Sequence, residues 1–295
     1  MKSILSQTQL KELKTAVVGY GNMGRNHARV LSQISSLQAV CDVDESKLVD
    51  CPFKSYKSVG EMLSNEKLDA VVIAVPTKYH KETIMKFWNR DIKILLEKPI
   101  AHTVLDAQEI VDSFENVYIG HIERFNPIIL KFMDIKRAIG EVLTFSSERY
   151  GISPPKAKHS DVMLDLGIHD IDLANMIVGV RPILRDLHFR SVIEDNPADI
   201  SVVHIRYEND VMATILSNWI TPIKVRRISV TGTKGYAVID LLNQYLTIYR
   251  NDTPEIVSYK CEGEALKNEL VAFLSGIESN KIDALNAIKI LYNKL

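Results

Sequence analysis

The first third of the chain alternates short apolar runs with stretches of helical spacing. Lys14–Tyr20 is an apolar run that leads into a glycine turn, and Arg25–Ser32 continues in helical mode. Leu37–Cys41 is a second apolar run, ending at Asp42. Ala70–Val75 reads AVVIAV, β-branched and free of charge. Thr77–Arg90 reads as a helix, Ile92–Leu96 as the next strand, Leu105–Phe114 as a helix and Val117–Gly120 as a short strand. Strands apolar on both faces and spaced by helices predict a parallel sheet covered by helices.

The rhythm changes after about Gly120. Leu143–Tyr150 is strand-like, and Ser153-Pro154-Pro155 is a loop. Val162–Val178 has helical periodicity and stops before Gly179, a C-cap residue. From Arg185 onward strands follow strands. Ile200–Tyr207 and Val211–Ile220 flank the turn Glu208-Asn209-Asp210, and Ile228–Thr231 and Tyr236–Asp240 flank Gly232-Thr233-Lys234-Gly235. Both are hairpin signatures. Leu246–Tyr249 and Ile256–Tyr259 continue the meander, and Glu264–Ile277 and Ile282–Leu291 are closing amphipathic helices. The expectation is an α/β domain over residues 1–120, then an α+β domain over 121–295 with a mostly antiparallel sheet. The last helices are free to pack back on the first domain.

Composition narrows the class without naming a function. The chain has 295 residues, 46% hydrophobic and 25% charged, which suits a soluble protein of about two domains. Lys+Arg 36 against Asp+Glu 37 gives a formal charge of −1, which argues against bulk capture of nucleic acid or an anionic membrane. Cys41, Cys51 and Cys261 have no metal-type spacing and read as reduced thiols of a cytoplasmic protein. The N-terminus lacks the apolar core of a signal peptide, and no apolar run is long enough to span a bilayer.

Four clusters carry candidate chemistry. Gly19-Tyr20-Gly21-Asn22-Met23-Gly24 is a G-x-G-x-x-G between a strand and a helix. Its glycines suit a tight turn, close approach of a pyrophosphate and close helix packing, and the helix N-terminus offers N–H groups to phosphates. Asp42, at the end of the second strand, suits the ribose hydroxyls and repels a 2′-phosphate, favouring NAD over NADP. Pro76, Thr77 and His80 follow the third strand, where cofactor contact and simple helix capping read equally well. Glu97-Lys98-Pro99 follows the next strand, and proline holds Lys98 extended. Lys98 there can share a proton with a substrate hydroxyl, though the tripeptide alone reads as often as a surface loop.

The fourth cluster is Asp165-Leu166-Gly167-Ile168-His169-Asp170-Ile171-Asp172, inside a predicted helix. Asp165, His169 and Asp172 then share one face, with Asp161 a turn earlier and Leu166, Ile171 and Leu173 opposite. Histidine beside carboxylates suits proton abstraction from a hydroxyl. A solvated acidic face with one histidine fits the spacing equally. Zinc ligation has little support, since no further His or Cys cluster stands nearby. Gly120–Pro127, with Arg124 and Asn126, lies at the domain junction and suits a cleft wall. Asn218–Pro222 reads first as packing around Trp219.

G-x-G-x-M-G-x-x-H over Gly19–His27, Glu97-Lys98-Pro99 and D-x-x-x-H-x-x-D over Asp165–Asp172 together resemble the glucose–fructose oxidoreductase / inositol dehydrogenase (Gfo/Idh/MocA) family. The likeness runs through Thr231–Gly235. It implies an N-terminal Rossmann domain with a doubly wound parallel sheet and a C-terminal α+β domain with a large, mostly antiparallel sheet. It implies Lys98, Asp165 and His169 as catalytic groups, with Gly19, Gly21, Asn22, Met23, Gly24, Asp42, Pro76, Thr77, His80, Glu97 and Lys98 around NAD. Arg124, Asn126, Asp165 and His169 would meet substrate, and no metal is implied. A narrower likeness, over Gly24–Val30, Ala74–Thr77, Gly120–Pro127, Asp165–Asp172 and Asn218–Pro222, is to the family's UDP-N-acetylglucosamine 3-dehydrogenases. Gly167 departs from the alanine expected in that subgroup. The expected function is therefore NAD-dependent oxidation of a nucleotide sugar by a homodimer or homotetramer. The alternatives are another sugar or an inositol-like polyol as substrate, or an NAD-binding regulator without turnover.

Overall fold

The computed structural model describes residues 3–152, 161–193, 198–254, 256–277 and 279–292. The loop expected at Ser153-Pro154-Pro155 lies outside them. The chain divides into two compact units, the first formed by Met1–Ile122 with Leu266–Ile288, the second by Glu123–Ala265 with Lys289–Leu295.

The first unit is built on six strands: β1 (Lys14–Val18), β2 (Ser36–Cys41), β3 (Ser55–Tyr56), β4 (Ala70–Ile73), β5 (Lys93–Glu97) and β6 (Val117–Gly120). They pair in parallel in the order β3-β2-β1-β4-β5-β6, the doubly wound arrangement with its reversal between β1 and β4. Its helices are α1 (Gln7–Glu12), α2 (Asn22–Ile34), α3 (Val59–Asn65), α4 (His80–Met85) and α5 (Val104–Ser113). The core joins Val17, Leu31, Val72 and Leu95 to Leu270 and Phe273 from the far end of the chain. Burial on both faces is what the charge-free AVVIAV run requires.

Three local features depart from the sequence expectation. Ser6 and Gln9 form a reciprocal capping box that starts α1, and Ser58 caps α3. Neither helix is evident from hydrophobic periodicity, because each buries only one or two side chains. The helix expected over Thr77–Arg90 is shorter. A 3₁₀ turn covers Thr77–Tyr79, α4 ends at Met85, and Asn89 adopts φ 57°.

The second unit carries α6 (Pro127–Ile135), β7 (Val142–Ile152), a π-helical turn at Met163–Gly167 and α7 (Ile168–Val178). Seven further strands follow: β8 (Pro182–Arg190), β9 (Ile200–Tyr207), β10 (Met212–Asn218), β11 (Ile220–Gly232), β12 (Gly235–Asp240), β13 (Tyr245–Arg250) and β14 (Ile256–Lys260). They join β7 in an eight-stranded sheet ordered β14-β13-β12-β11-β7-β10-β9-β8. Among the described residues of this sheet only the β7–β10 pair is parallel. Helices α8 (Ala265–Leu274) and α9 (Lys281–Leu291) follow, largely within the Leu266–Ile288 segment of the first unit. Gly179 ends α7 with φ 76°, its N–H bonded to the Asn175 carbonyl, as its position predicts.

Candidate active site

In the first unit a cavity of about 680 Å³ opens beyond the carboxyl ends of β1, β2, β4 and β5, within the range for ligand pockets. Of the residues expected around the cofactor, Gly19, Gly21, Met23, Asp42 and Pro76 line it, with Glu97 and Lys98. Asn22, Gly24, Thr77 and His80 do not. Gly19 has φ +91°, and a Cβ there would stand 2.5 Å from the Ala74 carbonyl oxygen. A Cβ on Gly24 would meet the Gly19 carbonyl oxygen at 1.8 Å, so α2 packs against the turn only because that position is bare. A Cβ on Gly21 would meet nothing within 4 Å. Gly21 is also the N-cap of α2, with no side chain bonded to the helix N–H groups. An open backbone beside uncapped donors and a positive dipole end fits the diphosphate of a dinucleotide.

Asp42 is 6% exposed and held in place from three sides. Its Oδ2 accepts from the Tyr20 N–H at 2.7 Å and its Oδ1 from the Asp44 N–H at 2.9 Å, while Lys47 Nζ stands 3.2 Å away. Glu97 is a second fixed carboxylate. Its Oε1 accepts from His27 Nε2 at 2.7 Å, and its Oε2 from the Lys98 N–H at 3.1 Å. Burial alone would raise its carboxyl, yet the bond and charge of His27, with Lys98, prevail and hold it below the usual carboxylate range. Gly120 leaves room for it, since a Cβ there would come within 3.2 Å of the carboxylate. The Lys98–Pro99 peptide is cis. His80 is buried among carbonyls, its Nε2 3.0 Å from Val75 O and its Nδ1 3.3 Å from Ile100 O. It ties the segment after β4 to the one after Pro99, and burial pushes its pKa down. Thr77 opens the 3₁₀ turn without capping it.

In the second unit Asp165 lies within the π turn, and His169 follows in the first turn of α7. Both are half-buried. The expected face does not hold together. Leu166, expected opposite Asp165, lines a cavity of the second unit together with it and packs with Val162 and Trp219. Asp172, expected beside His169, is 1% exposed and paired with Arg124 through two bonds of 2.6 Å. The π turn, whose i→i+5 bonding takes an extra residue, breaks the α-helical alignment of Asp165 with His169, whereas His169 and Asp172 both lie in α7 and keep their i, i+3 spacing.

Arg124 and Asn126, expected at the substrate, have internal partners. Arg124 carries the Asp172 pair. Asn126 caps α6 through the Ile128 N–H, and its Nδ2 donates to Glu123 and to the Leu241 carbonyl, each at 3.2 Å. Arg149 is a residue the sequence does not flag. It is 3% exposed, with two bonds to Asp170 and one to Glu123 at 2.8 Å. Burial opposes its charge, but the two carboxylates outweigh that and raise its pKa. Asp170 and Asp172 are thus committed to arginines, and Asp165 lines a cavity. Asp165, Trp219, Lys224 and Arg226 border a second cavity of about 380 Å³. Among the described residues no group of three His, Cys, Asp or Glu could hold a metal ion, and no helix is long and apolar enough to cross a membrane.

Residues 13–117 match the family described as an oxidoreductase family with an NAD-binding Rossmann fold, and residues 135–238 match the GFO/IDH/MocA C-terminal domain. A UDP-N-acetylglucosamine 3-dehydrogenase of Acidithiobacillus ferrooxidans is 26% identical over 287 residues, 91% of this chain and 90% of the relative. A myo-inositol 2-dehydrogenase of Thermotoga maritima is 23% identical, covering 81% of this chain and 79% of the relative. A solved structure of the Acidithiobacillus enzyme superposes with a TM-score of 0.87 at 24% identity, covering 96% of both chains. A protein of gentamicin A biosynthesis, solved in complex with NAD, superposes at 0.81 and 21% identity over 96% of this chain and 94% of its own. These two superpositions establish the fold.

Proposed function

The chain belongs to the GFO/IDH/MocA oxidoreductase family, and we propose that it oxidises the 3-hydroxyl of UDP-N-acetylglucosamine to a ketone with NAD. Breadth of likeness carries the choice of substrate. The 3-dehydrogenase match spans 91% of the chain, against 81% for the Thermotoga inositol enzyme. A second reading, a polyol such as inositol, is favoured by the several inositol 2-dehydrogenases among the relatives.

The backbone of Gly19–Gly24 and the N-terminus of α2 hold the cofactor diphosphate. Asp42, already fixed by two backbone N–H groups, accepts from the adenosine ribose hydroxyls and repels a 2′-phosphate, which selects NAD over NADP. When bound, NAD supplies the hydride acceptor. His169 takes the proton of the substrate hydroxyl, and Asp165 orients the imidazole and stabilises its positive charge. Lys98 donates a hydrogen bond to the same oxygen. The Glu97–His27 pair positions Lys98 through the bond from its backbone N–H. Copies of the chain assemble in the cytoplasm as homodimers or homotetramers through the open sheet face, where Met212, Tyr236 and Tyr249 are exposed; sedimentation measures that state.

The test is reduction of NAD by the purified chain with UDP-N-acetylglucosamine, repeated with NADP. Lys98→Ala and His169→Ala should each lower kcat about a hundredfold or more, the scale of general acid–base catalysis. Wild-type rates in both variants would sink the assignment. Oxidation of free inositol and not of the nucleotide sugar would transfer the function to the second reading.

A further inference from the structure

Strand β11 is irregular at one place. Ile220 pairs with Ile152 of β7 and Val225 with Tyr150, so residues 221–224 stand opposite Gly151 alone. An insertion of this kind bends a strand and re-aims its side chains, and such bulges concentrate beside active sites. Asn218 builds it. Its Oδ1 accepts from the Ile220 N–H at 3.2 Å, the Thr221 N–H at 3.0 Å and the Thr221 hydroxyl at 2.7 Å. The bulge gives Pro222 and Lys224 to the wall of the cavity of about 380 Å³ that Asp165 also lines. Trp219, 3% exposed, packs on Val162 and Leu166 and closes the apolar side. Gly151, opposite the bulge, borders open space, since a Cβ there would meet nothing within 4 Å.

The walls of this cavity carry more cations than carboxylates. Its ionisable lining is Asp165, Lys224 and Arg226, two cations against one carboxylate. Arg226 Nη1 donates to the carbonyls of Tyr150 and Val225. Among the described residues no carboxylate forms a salt bridge with Arg226 or Lys224, whereas neighbouring Arg149 has both Asp170 and Glu123. Burial and the Arg149 charge press the Arg226 pKa down, and the charges of Asp170, Glu123 and Asp165 oppose that shift without reversing it. A partly buried arginine beside a free lysine is the arrangement that binds phosphate oxygens, the arginine by its planar fork and the lysine as a point charge.

We propose that this cavity takes the phosphate groups of the substrate, with Arg226 and Lys224 as their counter-ions and the β11 bulge as the element that presents them. The proposal deepens the reading above and rests on Asp165 facing the substrate. It commits the substrate to a phosphate-bearing class, a nucleoside-diphosphate sugar rather than a neutral polyol. It also makes Asn218–Pro222 a positioning element in addition to packing.

The test is calorimetric titration of the whole protein with UDP, with inorganic pyrophosphate and with NAD, for the wild type, Lys224→Ala and Lys224→Arg. Lys224 is exposed and carries no structural bond, so its variants keep the fold. Lys224→Ala should weaken UDP and pyrophosphate about tenfold, Lys224→Arg should restore most of that, and NAD affinity should not move. In turnover, the KM for the nucleotide sugar should rise by the same factor while the KM for NAD stays put. UDP binding that is absent in the wild type, or equal in wild type and Lys224→Ala, overturns the proposal. Loss of NAD affinity in Lys224→Ala also overturns it, because the site would then belong to the cofactor. If UDP binds through Lys224 yet no sugar nucleotide is oxidised, the activity assignment fails and this cavity's assignment stands.

Discussion

Glu97 sits almost out of water beside Lys98, and its charge survives there because His27 Nε2 is 2.7 Å away. Removing one partner of a buried pair strands the other and typically costs about 3–5 kcal/mol. His27→Ala should therefore destabilise the protein by roughly that amount at neutral pH. The pH dependence has a definite sign. In the wild type the Glu97 pKa lies below its unfolded value, so the pair's stabilisation is full above that unfolded pKa. It is lost only as pH falls through the lower folded pKa. In His27→Ala burial dominates and the carboxyl shifts upward, so protonation relieves part of the penalty as the pH drops from 7 toward 5. Urea unfolding of both proteins at the two pH values measures this; an equal difference at both would refute the account. The pair also marks where spacing stops being informative. His27 stands in the glycine motif, but its partner is 70 residues away, on another strand. Arg124 and Asn126 show the converse. A polar string at a domain junction suggests ligand contacts, whereas Asp172 and the Leu241 carbonyl engage these side chains internally.

The π turn decides the geometry around Asp165 in the second unit. It depends on Gly167, where a Cβ would stand 2.1 Å from Met163 Sδ and 3.1 Å from Ser217 Oγ. Met163 is fully buried, so it cannot simply swing into solvent. Gly167→Ala should cost about 1–3 kcal/mol by overpacking, and adding Met163→Ala should recover part of the loss. A thermal-unfolding double-mutant cycle reads that coupling; additive losses would mean that the two residues do not meet. Elements with a strong period or a distinct punctuation mark are legible in the sequence. AVVIAV gives β4, the Glu208–Asp210 turn gives the β9–β10 hairpin, and Gly179 marks the end of α7. The start of α6 at Asn126-Pro127 also has a sequence signal, an N-cap residue before proline at the first helical position, which hydrophobic periodicity alone passes over. A π turn has no such mark. It replaces i→i+4 bonds with i→i+5 bonds inside a stretch whose composition remains helical. Asp165 and His169 are therefore identifiable as candidates, but their neighbours are not.

At the scale of the molecule, the unit that holds the cavity beyond β1, β2, β4 and β5 is discontinuous in sequence. Leu266, Leu270, Phe273 and Leu274 are at most 5% exposed and belong to the core that also contains Val17, Val72 and Leu95. Four such side chains at about 1.5–3 kcal/mol each supply roughly 6–12 kcal/mol, as much as the net stability of a typical domain. Polar contacts fix the same segment. Lys93 Nζ donates to the Leu274 carbonyl at 2.8 Å. Asn280 acts as a further strand at the edge of β6, accepting from the Ile119 N–H at 2.8 Å and donating to the Ile119 carbonyl at 2.9 Å. Residues 1–122 alone should therefore expose an apolar groove and an unpaired strand edge, and should neither unfold cooperatively nor bind NAD. Joining 1–122 to 264–288 through a flexible linker should restore both, because the linker has only to return the segment to its own core. Melting curves with and without NAD, followed by circular dichroism, distinguish the outcomes. Cooperative, NAD-shifted melting of 1–122 by itself would mean that the C-terminal segment only covers a core that is already sufficient.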